Sequence, residues 1–137
     1  MLKLRKNKKG FTLVELIVVI AIMAVLAGTV AGVTVSQLNK QSDKTTENQA
    51  KTLANSISQY IIENDSITVS GTTINADLKK LIEDNYPSLK LKFDNDETAK
   101  GDIYVKMVNN EVEVGYHKKT GNTTAKVATV NAEGIVK

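Results

Sequence analysis

Phe11-Thr12-Leu13-Val14-Glu15-Leu16-Ile17-Val18-Val19-Ile20-Ala21-Ile22-Met23-Ala24-Val25-Leu26-Ala27 opens the stretch whose reading decides the fold. From Leu16 to Val35 no residue is charged, and only Gly28, Thr29, Gly32 and Thr34 interrupt the apolar side chains. A helix needs roughly 20 such residues to cross a hydrocarbon core, so this one is long enough to span a bilayer. Burial inside a soluble domain fits less well. A helix apolar on every side must be covered on every side, and a chain of 137 residues leaves too little protein to do so.

Outward from this stretch, the N-terminal flank carries Lys3, Arg5, Lys6, Lys8 and Lys9 and no acidic residue. These five of the 18 basic residues account for the net charge of +3, because 13 basic residues face 15 acidic ones from Phe11 onward. The pI near 9.0 therefore describes a leader, and the body is mildly acidic. A basic N-terminal flank predicts that end in the cytoplasm and the C-terminal body outside. With no Cys and one His, disulfide frameworks, thiolate metal sites, His-rich zinc sites and Cys nucleophiles are excluded.

Two processing routes fit a basic leader before an apolar run. Val25-Leu26-Ala27 before Gly28 has the small-residue character of an ordinary signal-peptide cleavage site, but the apolar run continues beyond it to Leu38. Glu15, inside the run, favours a different route. A carboxylate at the bilayer centre costs on the order of 2.5 to 3.5 kcal/mol and calls for a partner, and the segment holds no cation to pair with it. A cut between Gly10 and Phe11 would create an α-amino cation on Phe11. The amine of a neighbouring copy, offset by about one helical turn, could then neutralise Glu15 in a dry interior.

Lys8-Lys9-Gly10-Phe11-Thr12-Leu13-Val14-Glu15-Leu16-Ile17, with its short basic leader and long apolar tail, closely resembles the processing site of type IV pilins and pseudopilins. The resemblance covers about a quarter of the chain. It implies cleavage after Gly10 by a membrane-embedded prepilin peptidase, N-methylation of Phe11, and an assembly salt bridge between the amine of Phe11 and Glu15 of adjacent subunits. It further implies a homo-oligomeric helical filament built by a pilus assembly platform and its ATPase. Many relatives carry a Pro late in the apolar helix; here none precedes Pro87. Gly28 and Gly32 are the corresponding weak points, each costing about 1 kcal/mol of helix propensity relative to Ala. Small residues four apart serve equally for close helix packing.

Asn39 to Gln49 is polar all round, with Lys40, Asp43, Lys44 and Glu47 as spaced opposite charges, and it continues the helix if solvated or facing other subunits. Ala50, Leu53, Ala54, Ile57, Tyr60 and Ile61 then recur at helical spacing, so one helix from Phe11 to Glu63, about 80 Å long, is expected. Asn64-Asp65 stops it, a short extended piece follows at Ile67–Val69, and Asn75 caps a second helix that ends near Tyr86, ahead of Pro87. The period then changes to two: Leu89, Leu91, Phe93; Ile103, Val105, Met107; Val112, Val114, Tyr116; and a last strand at Thr124–Val130, with turns at Asn109-Asn110 and Gly121-Asn122. The expected class is α+β, a long N-terminal helix packed against a small antiparallel sheet, as in the pilin fold. Its parts are a cleaved leader (1–10), a transmembrane and assembly helix (11–38), and a helical stalk with an α+β head (39–137).

Other chemistry is thinner. Asp94 and Asp96, in an acidic loop with Asn95 and Glu97, have the oxygen ligands of a calcium site but lack the EF-hand register; the alternative is a solvated loop. His117 has no positioned partner in sequence and reads as a solvent-exposed residue. Asp43 and Glu47 read as i, i+4 groups on a helix surface rather than acid and base. Lys90, Lys92, Lys118, Lys119 and Lys126 offer a nucleic-acid patch, but only Tyr104 and Tyr116 lie near them to stack on bases, so a solvated strand face is the better reading. No cofactor is called for. The expected protein is non-enzymatic: a pilin in an extracellular fibre after residence in the cytoplasmic membrane. A pseudopilin of a type II secretion or DNA-uptake system and a membrane-anchored or secreted binding domain that never polymerises are the alternatives.

Overall fold

The computed structural model describes residues 10–94 and 98–137. Its elements are α1 (Leu13–Glu63), α2 (Ala76–Asn85), β1 (Leu91–Phe93), β2 (Ile103–Val108), β3 (Glu111–His117) and β4 (Thr124–Val130). The chain divides into two compact units, one reaching Gln37 and the other comprising Leu38–Lys137, and α1 contributes to both.

In the first unit α1 is apolar and uncovered. Every residue from Gly10 to Gln37 is exposed, and the segment is long and apolar enough to cross a membrane. The helix starts at Leu13 rather than Phe11 because Thr12 takes the N-cap position, holding the Glu15 amide on its hydroxyl at 3.2 Å.

In the second unit α1 becomes one-sided. Asp43, Thr46, Ala50, Leu53, Ala54, Ile57 and Ile61 are buried, a spacing of three and four that marks one helix face. Its apolar members share a single core with Leu78 and Ile82 of α2 and with Val105, Val112, Val114 and Val130 of the sheet. The Asn75 side chain accepts the Asp77 and Leu78 amides, capping α2, and the helix ends at Asn85 two residues before Pro87. Ile67 and Val69 are buried but unpaired, forming an extended piece without a strand partner.

The class is α+β, with one difference in the sheet. Its order is β1-β2-β3-β4, and β1 pairs with β2 in parallel while the other pairs are antiparallel. Parallel neighbours usually require a long crossover. Here β1 has only three residues and advances about 10 Å, so the nine residues from Asp94 to Asp102 suffice to return the chain to its starting end. Asp94 itself turns the chain out of β1 with φ 55°. The Asn109-Asn110 pair, both at positive φ (52° and 61°), forms the tight turn joining β2 to β3.

One face of the sheet covers the core. On the other, the Tyr104 ring lies across Gly115, where a Cβ would collide with the ring and with the Ala125 carbonyl. The register shifts between Val114 and Gly115, so a side-chain-free position coincides with the irregularity between β3 and β4. Tyr104 donates its hydroxyl to Glu113 at 3.0 Å, and Lys106 approaches the same carboxylate at 3.4 Å.

Candidate functional site

The N-terminal segment is built around Thr12 and Glu15. The Glu15 amide donates to the Thr12 hydroxyl, and the Thr12 amide donates back to Oε2 of Glu15, both at 3.2 Å. This reciprocal pair is a capping box, and it gives side-chain acceptors to two amides at the helix start that have no partner within the helix. Within its own segment Glu15 thus meets a backbone donor, the Thr12 amide, and not a cation. The signal was present in the sequence, since Thr12-Leu13-Val14-Glu15 has the Thr-x-x-Glu form of this motif. Phe11, just before the cap, is 93% exposed, and an open apolar concavity is lined by Phe11, Glu15, Leu16 and Val19.

Gly10 is exposed next to Phe11. Gly28 and Gly32 lie inside an unbroken α1, with open space where a Cβ would project. The Thr29 and Thr34 hydroxyls nearby donate to the carbonyls of Leu26 and Val30, at 2.9 and 2.8 Å, which keeps these polar groups satisfied on an apolar helix.

The second constellation lies in the unit Leu38–Lys137 and was not anticipated. Asp43 is buried at 7% exposure, not solvated on the helix surface. Its carboxylate accepts the Lys119 amide at 2.7 Å, the Thr120 amide at 3.0 Å and the Thr120 hydroxyl. Burial pushes the Asp43 carboxyl up, but the Thr120 hydroxyl, the two amides and the nearby Lys118 charge outweigh it and hold the group below its ordinary value. Glu47, one turn on, stays at the surface and pairs with Lys51 at 2.7 Å. The polar stretch after the apolar run is thus partly covered by the protein's own β3–β4 connection rather than only by solvent or other subunits.

The remaining candidates are dispersed. Asp94 accepts the Ile74 amide at 2.8 Å, while Asp96 lies outside the described residues. Among the described residues no group of three or more acidic or His side chains converges as a metal site would require. His117 is half-buried, with Nδ1 enclosed and unpartnered, instead of fully solvent-exposed. The lysines singled out as a patch are divided: Lys90 and Lys119 line one cavity with Lys100, Lys92 another with Lys79, and Lys118 a third with Lys40 and Lys44.

Comparison with known proteins bears on the first constellation. Residues 5–31 match the family model described as the prokaryotic N-terminal methylation motif, the class III prepilin signal of type IV pilins and pseudopilins. The matched residues take in the basic flank, Gly10, Phe11, the capping box and the first half of the apolar stretch of α1, and the long apolar helix with an α+β arrangement is consistent with the pilin fold. Neither a curated protein nor a solved structure matches the chain.

Proposed function

We propose that this chain is the structural subunit of a type IV pilus, non-enzymatic, and that it polymerises through α1 into an extracellular filament. The observation that carries the proposal is Glu15 at the start of an uncovered apolar helix, directly behind a prepilin cleavage signal. In this reading the precursor sits in the cytoplasmic membrane with its leader inside and its head outside. Prepilin peptidase removes residues 1–10 and Phe11 is N-methylated, retaining its positive charge. Glu15 then exchanges membrane exposure for the Phe11 amine of an adjacent subunit, and the apolar surface from Leu13 to Leu38 is covered by copies of itself. An assembly platform and its ATPase supply the work of extraction. Gly28 and Gly32 are where the helices either pack closely or loosen.

The Glu15→Ala variant tests the mechanism. It is expected to insert in the membrane normally and to be absent from fibres; wild-type incorporation would falsify the proposal. N-terminal sequencing of mature protein should begin at Phe11, whereas a start at Gly28 would return the chain to the ordinary signal-peptide route. Electron microscopy of cells with and without the gene separates a surface pilus from the short fibre of a pseudopilin, and no fibre of either kind would leave the anchored binding domain.

A further inference from the structure

Two asparagines of the chain open an Asn-x-Ser/Thr tripeptide: Asn64-Asp65-Ser66 and Asn122-Thr123-Thr124. That tripeptide is the acceptor form for an N-linked oligosaccharide, provided that x is not Pro and that the site lies on a surface loop of a secreted domain. Both satisfy the first condition. The folded head separates them on the second. Asn64 closes α1: its amide and its Nδ2 both donate to the Tyr60 carbonyl, at 3.1 and 3.0 Å, and its own carbonyl takes the Ile67 amide at 3.0 Å. The residue is half-buried, and a sugar on that nitrogen would compete with the contacts that end the helix. Asn122 is placed differently. It follows Gly121, at φ 92°, in the β3–β4 connection, and Gly121, Asn122, Thr123 and Thr124 are all exposed. The connection is fixed beside them: Asp43 holds the Lys119 and Thr120 amides, and the Lys118 amide donates to the Thr123 carbonyl at 2.9 Å. The acceptor therefore sits on a loop tied down at its base, and folding does not cover it.

We propose that Asn122 is an N-glycosylation site, which takes an oligosaccharide from a polyprenyl diphosphate donor on the outer side of the membrane. This rests on the reading that places the head outside. In the transfer, Nδ2 of Asn122 forms a bond to the anomeric carbon of the first sugar, and the bond from that carbon to the diphosphate oxygen breaks. The electron pair of that bond leaves with the polyprenyl diphosphate, which also takes up the proton that Nδ2 loses. Nothing is oxidised or reduced. An amide nitrogen is a weak nucleophile, because the resonance that stiffens a peptide bond also withdraws its lone pair into the carbonyl. The transferase must therefore hold and orient the acceptor. The Thr124 hydroxyl, two residues on and exposed, is the positioning group available for that hydrogen bond. Because no residue from Gly121 to Thr124 is buried, the glycan is accommodated without repacking the core.

Mature protein purified from the cells that make it provides the test. Trypsin releases Asn122 in the peptide Thr120–Lys126 and Asn64 in the peptide Thr52–Lys79. Mass spectrometry should find an oligosaccharide on the first peptide and none on the second. Asn122→Gln should abolish the added mass, and so should Thr124→Val. Thr124→Ser should retain it, because Ser also completes the tripeptide. An unmodified Thr120–Lys126 peptide from the wild-type chain would overturn the proposal. So would a sugar on Asn64, or an added mass that survives Asn122→Gln and so belongs to a threonine. Digestion of the head by protease added to intact cells is scored in parallel. An unmodified peptide from a head that the protease digests overturns the glycosylation site alone, and one from a head that it cannot reach overturns the outward-head reading as well.

Discussion

Asp43 of α1 and Lys119 of the β3–β4 connection meet through a backbone amide at 2.7 Å, and the same carboxylate takes both the amide and the hydroxyl of Thr120. One side chain thus fastens a hairpin end to the helix from which the sheet is otherwise separated by core residues. Hydrogen bonds to a charged group contribute about 1.5 to 3 kcal/mol, and removing the acceptor strands partly buried donors. Asp43→Ala is therefore expected to destabilise the head by about 2 kcal/mol, and Thr120→Val, which leaves both amides bonded, by about 1 kcal/mol. Thermal unfolding of the full chain in detergent measures both; equal stability of wild type and Asp43→Ala would show that the clasp contributes nothing.

The same contact sets an acid limit. The Asp43 carboxyl is held below its ordinary value of 3.8 in the folded head. A depressed folded value means that the unfolded chain binds its proton first as pH falls, so the stabilisation is complete above the ordinary value and lost on going down through the folded one. Unfolding free energy should fall with pH in that acid window, and the Asp43→Asn head should show a shallower dependence there. Parallel pH profiles for the two proteins would remove Asp43 from the account.

What the sequence disclosed was local. Asn75 as a cap, Asn109-Asn110 as a turn, Pro87 as a barrier to α2 and the alternation of β2 and β3 each depend on residues within a few positions, and each is found where the pattern puts it. Thr12 and Glu15 were equally legible, since a capping box is read over four residues. Asp43 was not. On a helix flanked by Lys40, Lys44 and Glu47 it looks like any solvated i, i+4 group, and its donors come from Lys119 and Thr120. Strand direction was hidden for a similar reason: a period of two reports which face a residue takes, and it is the same for parallel and antiparallel neighbours.

Gly115 offers a prediction about packing on the outer sheet face. A methyl group there would meet the Tyr104 ring and the Ala125 carbonyl. The ring can swing away at the cost of its bond to Glu113, but the carbonyl belongs to the neighbouring strand and cannot move without disturbing the register. Gly115→Ala should cost about 1 to 3 kcal/mol, and adding Tyr104→Ala should recover none of the part due to the strand. Full rescue in the double variant would place the whole conflict in the ring.

Glu15 combines two roles that a single substitution can separate. As the third residue of the helix it accepts the Thr12 amide, and as a carboxylate it can meet a cation. Glutamine serves in the first role, because the capping box accepts Glu or Gln, but it carries no charge for the second. In lipid the first role has added value, since no water is available to an uncapped amide. Glu15→Gln should therefore keep the Thr12 amide as slow to exchange hydrogen as wild type in detergent, whereas Glu15→Ala should speed it about fivefold, matching a cap worth about 1 kcal/mol. If charge pairing drives polymerisation, both variants are absent from fibres. Fibres containing Glu15→Gln at wild-type levels, with Glu15→Ala excluded, would instead make the capped helix start the requirement and leave the Phe11 amine without a role in assembly.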